Sequence, residues 1–408
     1  MSKLRVLMLP KWYPNRYDDQ DGDFVARHIQ AIAQAGAADN CLQTAVVFAA
    51  VARGPLPTLI DVETDLSGLT PTWRYYYRAR PTGLPWLEKP VKLLLWLVCM
   101  GRGLRAVRQH WGGQRPDLVH AHVLFRAGVL AWWLKWQHGI PYLLTEHWTI
   151  FQPANTWQLG WGKRKLTAWL VRQAAAFTCV SEDLRQAVAR LGGCNARTAI
   201  IPNVVDTELF YPPTQPASRQ GLLHVAAFNE QAKNLSGILR TVARLRAAHP
   251  ALLVSLRIAG YGPAEARMHQ LASELDLLAS GIVAFLGKLT PTQVAAEMRR
   301  AQTLVLFSNY ENLPCVLIEA QASGLPAVAT RVNGVPELMP EDGSCGLLVP
   351  AGDEDALAQA LLDVLQAPAD RFDSAALRSA AIARFSYPAV GAAFLRVYQQ
   401  IIPEKQLS

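Results

Sequence analysis

Apolar residues along the chain gather in short runs rich in Val, Ile, Leu and aromatic side chains, and between these runs lie longer stretches with apolar positions at helical spacing. The short runs predict strands at 4–9, 44–50, 73–77, 118–120, 142–145, 177–180 and 198–201, then again at 222–227, 253–259, 283–286, 303–307, 327–330 and 347–349. Helical patterns fill most of the gaps. Alternation of this kind predicts parallel sheets covered on both faces, since strands that run the same way need a long crossover between them, usually a helix.

The two series are divided by YPPTQP at 211–216, where prolines remove backbone donors and hold an extended connection. A chain of 408 residues also exceeds what one hydrophobic core usually serves. The expected organisation is a first doubly wound domain at 1–208, a linker at 209–216, a second at 217–387, and a helix and tail at 388–408 that can pack on either domain. No internal repeat or low-complexity tract interrupts it.

Composition adds that both domains are ordinary folded protein: 51% of residues are hydrophobic and 18% charged, far from a disordered or fibrous chain. The net charge of +8 is unequally shared. Residues 1–206 carry 24 Lys and Arg against 14 Asp and Glu, and the rest carry 16 against 18. Much of the excess lies between Arg74 and Arg115, and all 12 Trp fall in the first half. Either this is core packing beside solvated arginines, or it is a face for an anionic acceptor or an anionic membrane surface. No nucleic-acid partner is expected.

The six Cys stand apart, with no CxxC pair and no Cys/His cluster at ligand spacing, so neither a disulfide framework nor a metal site is expected. The apolar run at the start is too short for a signal peptide, and the most apolar helical stretch, 92–100, is far shorter than the roughly 20 residues that span a bilayer. The expected location is the cytoplasm, with peripheral attachment to the inner face of the membrane as a further expectation.

The sharpest chemical signal is SNYENLPCVLIEAQASGLPAV at 308–328, which runs from a strand end through a loop into a helix. Ligands of open α/β sheets bind at the carboxyl ends of strands. Pro314 is expected in the first helical turn, and the amides of Cys315 and Val316 at the helix start would suit a phosphate. Glu311 in the loop and Glu319 on the helix can reach different parts of one extended ligand. Carboxylates accept from sugar and ribose hydroxyls, while amides and a cation hold a diphosphate.

With these residues in place the sequence resembles glycosyltransferase family 4, whose members carry a Glu-x7-Glu motif, here Glu311 and Glu319. The likeness runs in order along nearly the whole chain, through IPNVVD at 201–206, AGYGP at 259–263, GLP at 324–326, NGVPE at 333–337 and GLLV at 346–349. It implies a GT-B fold, two doubly wound Rossmann-like α/β domains facing across a cleft, and transfer of a sugar from a nucleotide-diphosphate donor with retention of configuration. The expected acceptor is a glycan or a lipid-linked envelope intermediate, the lipid link being suggested by the basic, Trp-rich first half. No cofactor or metal is implied, the nucleotide sugar being a substrate.

By the same resemblance Lys233 matches the lysine of a basic pair that neutralises the donor diphosphate, while Phe228 stands where the family usually has Arg. The implied catalytic residues are His122, Lys233 and Glu311, and the implied donor-binding residues are Gly22, Lys233, Asn312, Leu313, Pro314, Cys315, Val316 and Glu319. His122 takes the family's sugar-contacting position, and His120 reads as a core residue. His147, Glu146 and Asp23 are acceptor-side or cleft candidates, although Asp23 reads more simply as a helix cap. Gly260-Tyr261-Gly262 lacks a third glycine at dinucleotide spacing and is not a Rossmann fingerprint. Two rivals remain at this stage, a sugar-nucleotide epimerase of the same architecture and a non-catalytic subunit of a polysaccharide assembly.

Overall fold

The computed structural model describes residues 3–213, 219–368 and 370–403. The chain forms two compact units, one made of Met1–Val180, Arg185–Asn203 and Tyr387–Ser408, the other of Ser181–Leu184 and Val204–Ser386.

In the first unit eight strands form one sheet: β1 (Leu4–Pro10), β2 (Leu42–Val51), β3 (Ile60–Asp65), β4 (Thr72–Tyr77), β5 (Leu118–His122), β6 (Tyr142–Glu146), β7 (Ala176–Cys179) and β8 (Thr198–Ile200). Their order is β3-β4-β2-β1-β5-β6-β7-β8. Every pairing is parallel except β3 with β4. Strands β5, β6 and β7 are buried at every position, as a parallel sheet covered on both faces requires.

The chain runs outward from β1 to β2 and later returns to lay β5 on the other side of β1. The crevice beyond the carboxyl ends of β1 and β5 is therefore the switch point where such sheets hold ligands. It is where Lys11 and His122 emerge.

The second unit has six parallel strands, β9 (Leu222–Val225), β10 (Leu256–Ala259), β11 (Val283–Gly287), β12 (Thr303–Leu306), β13 (Ala327–Thr330) and β14 (Gly346–Val349), in the order β11-β10-β9-β12-β13-β14. Its core joins Ile238, Leu239 and Val242 of the helix Leu235–Ala248 to Leu256, Ile258, Val305, Phe307, Leu357 and Leu361. Here the direction switches between β9 and β12, whose carboxyl ends lead to Lys233 and Glu311.

Each strand expected from the sequence is present, with ends moved by at most three residues. One strand was missed. β3, IDVETD, is an edge strand with no buried position, so it lacks the apolar alternation that marks a half-buried strand. The expected start at 253 is also corrected, because Leu253 is 93% exposed and β10 begins at Leu256.

The chain leaves the first unit after Asn203, earlier than the proline run suggested, because the following segment is tied into the second unit. Val205 N–H donates to Phe385 O at 2.8 Å, and Arg378 donates to Phe210 O and Thr207 O at 2.8 and 3.0 Å. Hydrogen bonding rather than proline content decides the division. Linker positions 214–216, the expected boundary at 217 and tail residues 404–408 lie outside the described residues.

The last helix, Tyr387–Ile401, belongs to the first unit and lies on the helix Asp23–Ala38. Contact is close enough that a Cβ on Gly391 would stand 2.4 Å from Ala31 O. Among the described residues no helix is long and apolar enough to cross a membrane.

Candidate active site

In the second unit the chain leaves β9 through a loop into the short helix Glu230–Lys233. Asn234, at φ 47°, ends that helix and caps the next by accepting from Gly237 N–H. This sharp change of direction leaves the Lys233 side chain pointing across the end of β12. After β12, Asn309 is pinned to the same short helix, its backbone N–H donating to Ala232 O at 2.8 Å and its side chain to Gln231 O at 3.0 Å.

The result is a compact polar cluster around Glu311. Lys233 Nζ lies 2.5 Å and Ser308 Oγ 2.7 Å from Glu311 Oε1, and Glu311 N–H donates to Asn333 Oδ1 at 3.2 Å. Glu311 is only 7% exposed. A carboxylate so far out of water is costly unless charge and hydrogen bonds compensate it, which Lys233 and Ser308 do here.

The NGVPE segment braces this loop. Asn333 takes φ 45° to present its side chain, a Cβ on Gly334 would stand 2.2 Å from Asn312 O, and Glu337 accepts from the N–H groups of Glu182 and Asp183 at 2.8 and 2.9 Å. Ser181 Oγ donates to Asn312 Oδ1 at 3.1 Å. Beneath the cluster, buried His224 joins β9 to β12 through Val305 O at 2.9 Å, and burial pushes its pKa down to about 4.

The helix after the loop is Cys315–Ala322, with Pro314 as its N-cap at φ −68°, ψ 116°. Pro314 was expected inside the first turn; its extended ψ places it one residue before the helix. Cys315 and Val316 are thus the first two helical residues, where backbone N–H groups point along the axis and the dipole is positive. Leu313 and Asn312 are buried beside them, and Glu319 is on the helix itself at 8% exposure.

Phe228 supplies no substitute for a second cation. It is 2% exposed, packed in the core with its ring edge-on to Phe285 at 6.2 Å. Gly260 and Gly262 explain themselves at the same place: a Cβ on Gly260 would meet Ala226 O at 1.9 Å, and one on Gly262 would meet Phe228 N at 2.9 Å. They let two backbone segments pass, and the GYG pattern is a packing feature.

In the first unit Gly22 precedes the helix Asp23–Ala38 at φ 66°, ψ 31°, and a Cβ there would stand 2.4 Å from Trp12 C. The expected capping role of Asp23 is corrected. Gly22 is the cap residue, and Asp23 is the first helical residue, paired with Arg27 at 2.7 Å.

At the ends of β5 and β6 the structure buries what the sequence had placed facing a cleft. Glu146 is fully buried and accepts from the N–H groups of His147, Trp148 and Leu124 at 2.8, 2.8 and 3.0 Å, so it clamps the two loops that leave these strands. Burial still pushes its pKa up to about 7. His147 is 7% exposed and His122 fully buried, with His122 Nδ1 3.3 Å from His147 Nε2. Burial and neighbouring histidines hold both well below the usual range, so both are neutral near pH 7. His120, expected in the core, bonds Tyr398 Oη at 2.8 Å and Thr145 Oγ1 at 2.6 Å.

Two residues at this switch point escaped the sequence reading. His28 lies on the apolar stripe of Val25, Ile29 and Ile32 and there looks like core. Lys11 follows β1 directly, which was the available signal. Its Nζ lies 3.1 Å from the Trp148 ring centre, and burial brings its pKa down to about 8.

Comparison with known proteins identifies the family. Residues 25–209 match the family described as Glycosyltransferase Family 4, and residues 219–367 match the one described as Glycosyl transferases group 1. The chain is 32% identical over 369 residues to an MMP alpha-(1->4)-mannosyltransferase from Mycolicibacterium hassiacum, covering 86% of this chain and 82% of that one. It is 30% identical over 333 residues to a glycogen synthase from Mycobacterium tuberculosis, covering 75% of each.

Among solved structures, sucrose-phosphate synthase from Thermosynechococcus elongatus superposes with a TM-score of 0.73 at 20% identity, over 98% of this chain and 100% of that one. Anabaena HepE in complex with UDP does so with a TM-score of 0.70 at 17% identity, over 97% and 100%. At these identities the likeness is one of fold.

Proposed function

From the premise that the chain belongs to glycosyltransferase family 4, has the GT-B fold and is a glycosyltransferase using a nucleotide-sugar donor, we propose the finer reaction. The sugar moves from a nucleoside diphosphate to an acceptor hydroxyl with retention of configuration and without a metal ion. The observation that carries this reading is the Lys233–Glu311 pair at the switch point of the second sheet, beside the start of the helix Cys315–Ala322.

Lys233 and the first amides of that helix stabilise the charge that grows on the diphosphate as the bond from the anomeric carbon to phosphate oxygen breaks. A fixed cation and fixed dipoles aimed at developing charge form the electrostatic term that usually contributes most to catalysis. Lys233 and Ser308 both bond Oε1 of Glu311, leaving Oε2 for sugar hydroxyls, while Glu319 accepts from the ribose. The new bond forms to the acceptor oxygen, whose proton passes to the departing phosphate. With Phe228 buried, the helix start takes the share of charge that a second cation would carry.

In the first unit His122 Nε2 is buried without a hydrogen-bond partner, a state that favours meeting a donor-sugar hydroxyl. Gly22, the other donor-side candidate of this unit, keeps the backbone beside Trp12 slim. Exposed Trp86, Leu93, Leu94 and Leu97 share the helix Pro85–His110 with Lys89, Arg102, Arg105 and Arg108. This combination suits an anionic membrane and hence a lipid-linked acceptor.

The HepE structures with UDP and with UDP-glucose make UDP-sugars the first donors to test. A thermal-shift screen over UDP-, GDP- and ADP-sugars is expected to single out one base, since a ligand bound only to the folded state raises its stability. With that donor, Lys233→Ala and Glu311→Ala are expected to abolish most turnover. Unchanged turnover in both variants would remove the proposed site.

A further inference from the structure

Three histidines distant in sequence, His28, His122 and His147, meet in the interior of the first unit, with one nitrogen of each within 4.8 Å of the other two. Helix Asp23–Ala38 carries the first, the end of β5 the second, and the residue after β6 the third. No sequence spacing announces the group, because it is assembled across the sheet.

Hydrogen bonding fixes the tautomer of His28. His28 Nε2 lies 2.8 Å from Pro202 O, and a carbonyl oxygen only accepts, so Nε2 carries the hydrogen. In the neutral ring Nδ1 then holds a lone pair, and this buried atom has no hydrogen-bond partner. A backbone carbonyl behind the far nitrogen is also the usual support that orients a metal-bound imidazole.

His122 Nδ1 and His147 Nε2 face each other at 3.3 Å. For a hydrogen bond that is long. It does match the edge of a tetrahedron whose centre lies about 2.0–2.1 Å from each nitrogen, roughly 3.3 Å, as in zinc–imidazole sites. With one nitrogen of each ring within 4.8 Å of the other two, an approach of at most about 1.5 Å completes the face.

We propose that His28 Nδ1, His122 Nδ1 and His147 Nε2 bind one divalent transition-metal ion of the zinc class, with a fourth position open. The site belongs to the first unit and shares His122 with the donor-sugar contact proposed above, but its test reads metal binding and so stands or falls apart from that reading. A bound ion fixes His122 Nε2 as an N–H donor, since Nδ1 is then a ligand. Imidazole donors without carboxylate or thiolate suit zinc, cobalt and nickel and are poor for magnesium and calcium.

The experiment is a titration of the full chain, stripped with EDTA, with Co2+. The expected result is a visible d–d band of tetrahedral intensity that saturates at one equivalent and disappears when Zn2+ is added, while Zn2+ alone raises Tm. His28→Gln, which retains a donor toward Pro202 O, and His147→Asn are each expected to weaken Co2+ binding at least ~10-fold. Melting curves establish which variants are folded, and either folded variant suffices. No tetrahedral band in the wild type, or a band undiminished in a folded variant, overturns the proposal.

Discussion

Lys233 Nζ and Glu311 Oε1 stand 2.5 Å apart although 78 residues separate them, with side chains only 22% and 9% exposed. One is delivered by the loop after β9 and the other by the loop after β12, on the two strands that flank the switch point. Removing either partner leaves a charge in a poorly solvated place. A cycle of Lys233→Ala, Glu311→Ala and the double variant is expected to show a coupling of about 1–3 kcal/mol in stability. Lys233→Ala should also lower kcat by roughly 10²–10³, the usual result of losing one preorganised charge-stabilising group. Additive melting data would show that the pair does not hold the loop.

Gly22→Ala tests the loop that meets Trp12. Both the positive φ and the 2.4 Å approach to Trp12 C oppose a side chain. We expect a loss of about 2 kcal/mol or more, read as a fall in Tm of roughly 4–8 °C. A Tm within a degree of the wild type would mean that the backbone there is not left-handed.

His224 gives a pH dependence of known sign. Its folded pKa of about 4 lies below the ordinary 6.5. Between these values the unfolded chain takes up a proton that the folded chain refuses, so stability is full above 6.5 and falls as pH drops toward 4. At pH 4.5 the loss from this group is about 2–3 kcal/mol. His224→Asn keeps a donor for Val305 O and removes the titration. Denaturant melts at pH 7.5 and 4.5 should show the variant losing less stability than the wild type by about that amount, and equal losses would assign the acid sensitivity elsewhere.

Trp86 is 73% exposed and Leu94 59% exposed on the helix Pro85–His110. Co-sedimentation with vesicles containing anionic lipid is expected to fall several-fold in Trp86→Ser/Leu94→Gln, and to weaken with salt in the wild type as charge screening predicts. Binding that ignores lipid charge and salt removes the membrane from the reading of this face.

Much of the fold was legible because strands buried on both faces are written as apolar runs that depend little on context. β12 and β13 are of this kind, and TLVL and AVAT were found to within one residue. β3 was illegible because an exposed edge strand has no buried face to write. The capping of the first helix was misread because Asp23 is a good cap in general, whereas here Gly22 alone fits against Trp12.

By itself the sequence determined the class of this protein: two parallel α/β units, a phosphate-suited helix start after 314, and the Glu311 and Glu319 spacing, all of which depend on local order along the chain. Tertiary structure alone decided the partnerships. It paired Lys233 with Glu311, turned Phe228 into the core, laid the last helix on the first unit, and brought His28, His122 and His147 together. Side chains on different elements meet only through the order of strands in a sheet and the helices that cover it, and no local pattern records that order.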